Sequence, residues 1–282
     1  MNEIPFTIQN RRGETLVGVH HRAEKPKATL VMLHGWSGTR SGPHQMLTRA
    51  ARHFCVQGFS SVRFDFSGRG DSDGDTLLAT LATMRDDARD VFDWAASQSK
   101  APLWVVGLCS GCEIAVASVE PRIQGAILWS APIFAALPEQ AGQEQKRKSN
   151  LKKYARKLLN PATYGKILRG EIDTAGVKSA MQGGGGAAHK NVESSEAGQL
   201  PPGFRSESLK SWREFRGEIW QIYGGADPIV ESASDFYARS SPRVSRAHTV
   251  EGANHSFYGL GWEREVFDVT GNWLRQRTAS LS

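Results

Sequence analysis

The sequence predicts an α/β protein in which a mainly parallel sheet is covered by helices on both faces. Three observations carry that expectation. Short runs such as Leu103 to Leu108 and Gly125 to Trp129 are apolar almost throughout rather than alternating, as in strands buried on both sides. Helical patterns separate one such run from the next, which is the rhythm of strands joined by crossover helices. Between Gly107 and Gly111 a strand pattern gives way to a helical one within a few residues. A chain of 282 residues with 39% hydrophobic residues can bury one large core of this kind, and nothing in it demands two independent domains.

Taken in order, the chain opens with strands at Ile4 to Gln9 and Thr15 to His21, an antiparallel pair joined by Asn10-Arg11-Arg12-Gly13-Glu14. A polar linker with Pro26 leads to a third strand, Ala28 to Leu33, which ends in His34-Gly35-Trp36-Ser37-Gly38. Glycines there permit backbone conformations that other residues resist, so that N–H groups can converge on an anion. The plainer alternative is a strand-end turn. A helix follows over about His44 to Gln57, with Cys55 as inert packing. The fourth strand, Ser60 to Phe64, runs into the acid-rich stretch Asp65 to Asp75. An EF-hand beginning at Asp71 would need Gly sixth and Glu twelfth, where Thr76 and Ala82 stand, so a solvated turn is expected instead of a metal loop. A helix from about Leu78 to Ser97 buries the stripe Leu81, Met84, Ala88, Val91, Phe92 and Ala95.

The fifth strand, Leu103 to Leu108, meets the helical pattern Glu113 to Val119 so soon that one residue must occupy the apex of a tight turn. Such a turn strains the apex backbone and brings strand and helix so close that the residues two before and two after must be small. Gly107 and Gly111 meet that condition around Cys109. Centring the turn on Ser110 would put Leu108 and Cys112 in the tight positions. The stretch therefore reads as a nucleophile elbow with Cys109 at its apex and Ser110 beginning the helix.

After the sixth strand, Gly125 to Trp129, the next strand-like run is Glu218 to Tyr223. The gap is far longer than an ordinary crossover. It predicts a core of residues 1–132 and 217–282 interrupted by a helical cap at 133–216, which holds the basic amphipathic stretch Lys146 to Leu159 and the glycines 183–186. From Ala131 to Gly217 there are 15 Lys and Arg against 8 Asp and Glu, while the remainder has 20 against 21, so the formal charge of +6 belongs to the insertion. It reads as a solvated helix face or as a lid that draws acidic substrates. Beyond it, Asp227 follows the seventh strand, Glu231 to Arg239 is helical, Arg246 to Val250 is the eighth strand, His255 follows it, and Trp262 to Arg277 closes the chain as a helix. Cys109, Asp227 and His255 thus all fall in loops at strand ends, where active groups collect in such sheets.

The sequence has no run of about 18 apolar residues, so no stable membrane insertion is expected. Met1-Asn2-Glu3-Ile4-Pro5 lacks the basic-then-apolar order of a secretory signal, which points to a cytoplasmic protein. Three cysteines make no disulfide framework. Two rival functions stay open: a thiol redox role for the Cys109-x-x-Cys112 pair at a helix start, and a binding protein without chemistry.

His34-Gly35-Trp36 after the third strand, Asp65-Phe66-Ser67-Gly68-Arg69-Gly70-Asp71-Ser72 after the fourth, the elbow, Asp227 and His255 together resemble the α/β-hydrolase superfamily. The similarity is to its serine-aminopeptidase-like and monoacylglycerol-lipase-like branch. The elbow and the segment Gly35 to Gln45 further resemble hydrolases encoded beside exosortase systems. The order nucleophile, acid, histidine is the superfamily's. The resemblance implies an eight-stranded, mainly parallel α/β-hydrolase sheet with an inserted cap. It also implies a small-molecule acyl substrate, no nucleic-acid partner, and neither metal nor other cofactor. His255 would take the Cys109 proton, Asp227 would fix the histidine tautomer, and backbone N–H groups of Ser110 and of Trp36 or Ser37 would form the oxyanion hole. The implied reaction is hydrolysis of an ester or thioester through an acyl-enzyme, with acyl transfer to another acceptor as the alternative. The departure is Cys109 where most relatives carry Ser, a feature shared with dienelactone hydrolases and polyester synthases.

Overall fold

The strands β1 (Asn2–Gln9), β2 (Thr15–Arg22), β3 (Thr29–Leu33), β4 (Ser60–Phe64), β5 (Leu103–Leu108), β6 (Ile123–Trp129), β7 (Glu218–Gly224) and β8 (Val244–Val250) form one sheet in a computed structural model of the chain. The structure describes residues 2–134, 200–240 and 244–279. Strand order is β1-β2-β4-β3-β5-β6-β7-β8. β1 and β2 pair antiparallel, as do β2 and β4, and the other pairings are parallel.

Successive residues of a strand face opposite sides, so a strand that is apolar at every position feeds two cores. Leu103 and Val105 of β5 enter one cluster, and Trp104, Val106 and Leu108 the other. The first cluster lies under α2 (Leu81–Gln98), α3 (Gly111–Ser118), α4 (Phe204–Glu214) and α5 (Val230–Ser240). The second lies under α1 (Met46–Val56) and α6 (Leu260–Ala279). Trp104 spreads over the neighbouring strand at Gly125, where a Cβ would stand 2.2 Å from the indole, and meets Trp220 at 4.5 Å between ring centroids.

Several boundaries differ from expectation for local reasons. α2 begins at Leu81 rather than Leu78 because Thr80 and Thr83 form a reciprocal capping box, at 3.1 and 2.9 Å, and Thr76–Leu78 is a separate 3-10 turn. α1 begins at Met46 because His44 and Gln45 hold left-handed φ values of 40° and 63°. The Asp65 end of this loop is a clasp, while Gly70, Asp71, Asp73, Gly74 and Asp75 are exposed, as expected of a solvated turn. Asp65 is fully buried, pairs with the Arg40 guanidinium, and accepts the amides of Arg40 at 2.6 Å and Asp71 at 3.1 Å.

Residues 200–216, expected in the cap, belong to the same compact unit as residues 2–134. Phe204 and Trp212 of α4 are buried in the cluster that also holds α3. The stretch Lys146 to Leu159, the glycines 183–186 and most of the expected cap lie outside the described residues. Among the described residues no group of three or more His, Cys, Asp and Glu side chains could hold a metal ion. No described helix is long and apolar enough to cross a membrane.

In this order β3 has β4 on one side and β5 on the other, so the direction of winding reverses between β3 and β5. Open α/β sheets bind ligands in the crevice at the carboxyl ends of strands flanking such a reversal. His34-Gly35-Trp36 leaves β3 at that crevice and Cys109 leaves β5 there.

Candidate active site

Cys109 stands at the apex of the β5–α3 turn with φ 55°, a left-handed backbone that a non-glycine residue adopts only at a cost. Its amide donates to the Trp129 carbonyl at 3.0 Å. The flanking glycines are sterically required. A Cβ at Gly107 would lie 2.6 Å from both Cα and N of Cys112, and one at Gly111 would lie 2.2 Å from the Leu33 carbonyl oxygen. The first contact is β5 against the start of α3, the second α3 against the end of β3, so the elbow is wedged where the sheet reverses.

His255 and Asp227 meet beside the elbow although 28 residues separate them, with His255 Nδ1 2.6 Å from Asp227 Oδ2. Asp227 is nearly fully buried, and its neighbour is a third exposed at its side chain. The hydrogen bond to Asp227, followed by one to Cys109, outweighs burial and raises His255 from its ordinary value to about 10. Burial pushes the Cys109 thiol up, but the hydrogen bond and charge of His255, together with hydrogen bonds from the amide and hydroxyl of Ser110, leave it below its ordinary value. The two shifts have one cause, since a positive imidazole and a negative sulfur each favour the charged form of the other. Cys112 is of the opposite kind. It is fully buried, its Sγ lies 3.4 Å from the Trp129 carbonyl oxygen, and burial raises its thiol well above the ordinary value.

The loop after β3 comes close to the elbow because it has Gly35, where a Cβ would lie 3.3 Å from Ser110 Oγ and 3.6 Å from Cys109 Cβ. The Trp36 amide donates to Ser110 Oγ at 2.6 Å. Ser37 is exposed, and among the described residues its amide has no hydrogen-bond acceptor. Buried Arg69 supports the loop from below. Its Nε donates to the Trp36 carbonyl at 2.7 Å and its guanidinium sits 5.5 Å from the centre of the indole.

Sequence reasoning named the elbow, Asp227, His255 and the β3 loop, and it missed the side chains that brace them. His44 accepts from Arg49 at 3.1 Å through Nδ1, which leaves Nε2 to donate to the Ser256 carbonyl at 3.0 Å, next to His255. Arg49 is in turn held by the nearly buried Glu263 at 2.5 and 2.6 Å. The only signal for this brace was a histidine close to the β3 loop, since Ser256 and Glu263, which complete it, lie more than 200 residues away. A shallow cleft of about 380 Å³ adjoins this side of the site, lined by Pro43, His44, Asn254, His255, Ser256 and Tyr258.

Residues 30–268 match the model of a family described as the alpha/beta hydrolase family. An esterase domain of a Rhodothermus marinus protein superposes with a TM-score of 0.63 at 20% identity, covering 98% of this chain and 99% of the other. Dienelactone hydrolase of Anabaena variabilis gives a TM-score of 0.64 at 10% identity, covering 98% and 97%. These likenesses are of fold. A 31.7 kDa Escherichia coli protein encoded between traX and finO, described as uncharacterized, is 28% identical over 100 residues, and the match spans 34% of each chain.

Proposed function

Since the chain belongs to the alpha/beta hydrolase family, we propose that it hydrolyses an ester or thioester with Cys109 as nucleophile, His255 as acid and base, and Asp227 as the group that orients His255. The observation that carries this reading is the set Asp227, His255 and Cys109, in which a 2.6 Å hydrogen bond holds the imidazole by Nδ1 beside the strained elbow and the sulfur and the carboxylate together raise the histidine. In the first half-reaction the Cys109 thiolate adds to the acyl carbonyl while its former proton resides on His255. The tetrahedral intermediate collapses as His255 gives that proton to the leaving oxygen or sulfur. In the second half His255 takes a proton from water. The hydroxide so formed cleaves the acyl-sulfur bond and releases the carboxylic acid and the thiol.

The Ser110 amide, next to the elbow apex at the start of α3, and the exposed Ser37 amide supply the oxyanion donors. The cleft beside His255 suits the leaving group or the attacking water, because both exchange a proton with that residue. Intact-protein mass spectrometry after mixing with slow p-nitrophenyl esters and acyl thioesters of graded length tests the assignment. A single acyl adduct is expected on Cys109, absent from Cys109→Ala. An adduct on Ser110 would overturn it. Release of free acid in plain buffer identifies hydrolysis, and an ester or amide product formed only with added alcohol or amine identifies acyl transfer.

A further inference from the structure

We infer that Arg69 is a positioning residue for the oxyanion site: its guanidinium binds the Trp36 carbonyl and thereby both aims and polarises the Ser37 N–H of the same peptide. The inference rests on the reading of Cys109 as nucleophile, and it adds to that reading a residue from the loop after β4.

Trp36 C=O and Ser37 N–H belong to one peptide unit, which is trans, so the two groups point opposite ways. Arg69 is buried and its Nε donates to the Trp36 carbonyl at 2.7 Å. The carbonyl is thus drawn to the buried side, and the Ser37 N–H is turned away from it at an exposed residue. The neighbouring amides of the loop are already used. Trp36 N–H donates to Ser110 Oγ at 2.6 Å, and Gly38 N–H donates to the Gly35 carbonyl at 2.9 Å. Ser37 N–H is the donor left between them, one residue from the point where the loop meets the elbow. The far end of the loop is tied as well, since buried Asp65 accepts the Arg40 amide at 2.6 Å. Both anchors come from the loop after β4, so Ser37 lies between two fixed points and meets a developing anion without rearrangement. Arg69 supplies charge besides geometry. Among the described residues no carboxylate pairs with it, its remaining hydrogen bonds go to the carbonyls of Gly68 at 3.1 Å and Thr76 at 3.5 Å, and its guanidinium lies 5.5 Å from the centre of the Trp36 ring. A hydrogen bond accepted by a peptide carbonyl strengthens that peptide's own N–H as a donor, and a charged partner does so more than a neutral one.

Alkylation of Cys109 by iodoacetamide passes through no oxyanion, whereas acylation by an ester does, so the two reactions separate an oxyanion role from a general prop. Arg69→Gln keeps a neutral donor and Arg69→Lys keeps the charge. In a stopped-flow burst of p-nitrophenol from p-nitrophenyl acetate on the full chain, the acylation rate constant at saturation is expected to fall about ten- to a hundredfold in Arg69→Gln and about two- to tenfold in Arg69→Lys, with half-saturation within about threefold and alkylation within about twofold of wild type. The matching thionoester puts sulfur, a poorer hydrogen-bond acceptor, where the oxygen anion would form, so Arg69→Gln should slow its acylation no more than about threefold. The oxoester-to-thionoester ratio is taken within one protein, and it keeps its meaning where a variant is only partly folded. An unchanged ratio in Arg69→Gln would overturn the role of Arg69, whether alkylation falls in step with acylation or neither falls, and would leave Cys109 as nucleophile. A burst that survives in Cys109→Ala would instead overturn the Cys109 assignment itself.

Discussion

Cys109 holds a left-handed backbone and a thiol that its neighbours keep below its ordinary value, and each neighbour can be removed singly. His255→Ala takes away both the proton acceptor and the positive charge beside the sulfur. Ester turnover is expected to fall by roughly four to six powers of ten in kcat, and near-normal turnover would refute the assignment. Asp227→Asn tests the pH dependence. With thiolate and imidazolium as the productive pair of the proposed mechanism, kcat/KM should rise with pH as Cys109 loses its proton and fall as His255 loses its own near pH 10. Asp227 is the largest cause of the raised histidine, so its replacement should move the alkaline limb to lower pH and cut kcat by about four powers of ten. An unmoved limb in the pH–rate profile would contradict that cause. These residues were legible because each closes a strand pattern and precedes a helical one. Arg69 and His44 were not, because their value lies in contacts such as Arg69 to Trp36 and His44 to Ser256, which sequence spacing does not encode.

Among the elements, the β5–α3 elbow shows how two missing side chains set the distance between a strand and a helix. Gly107→Ala would drive a Cβ into the backbone of Cys112, which cannot rotate away as a side chain would. The expected cost is about 1–3 kcal/mol, read as a lowered midpoint in urea with an unchanged slope, together with loss of esterase activity out of proportion to stability. Wild-type stability in that variant would mean that the strand and helix are free to separate. The buried strands were legible for the same reason that they are stable, since an apolar residue at every position has no solvated face to offer. α4 was not. Its buried Phe204 and Trp212 are spaced for a helix, but no strand pattern in the sequence precedes them within crossover distance, so they group with the charged stretch before them. Helix starts were misplaced where caps and left-handed residues decide, as at Thr80 and His44.

For the whole molecule, the parallel sheet brings together groups from widely separated parts of the chain, and β6 and β7 lie in register although roughly 90 residues separate them. Closing so long a connection costs only about 2 kcal/mol more than closing one of ten residues, because the entropy grows with the logarithm of length. The delay it imposes matters more than the energy, since distant pairings form late. Strands β1 to β6 can pair while Cys109 is still an ordinary thiol, Tyr223 and Tyr237 complete the cluster that buries Cys112, and only the arrival of β7 and β8 delivers Asp227 and His255. Chemical competence is therefore a clock for the end of folding. In refolding from urea at pH 7, pulses of a methanethiosulfonate probe should find Cys112 protected first and Cys109 hyper-reactive later. Simultaneous appearance of the two would mean that the sheet assembles as one unit. A chain caught between those stages would carry a folded, sulfur-bearing elbow that cannot yet attack an ester, so that its reactivity is withheld until the last strands are in place.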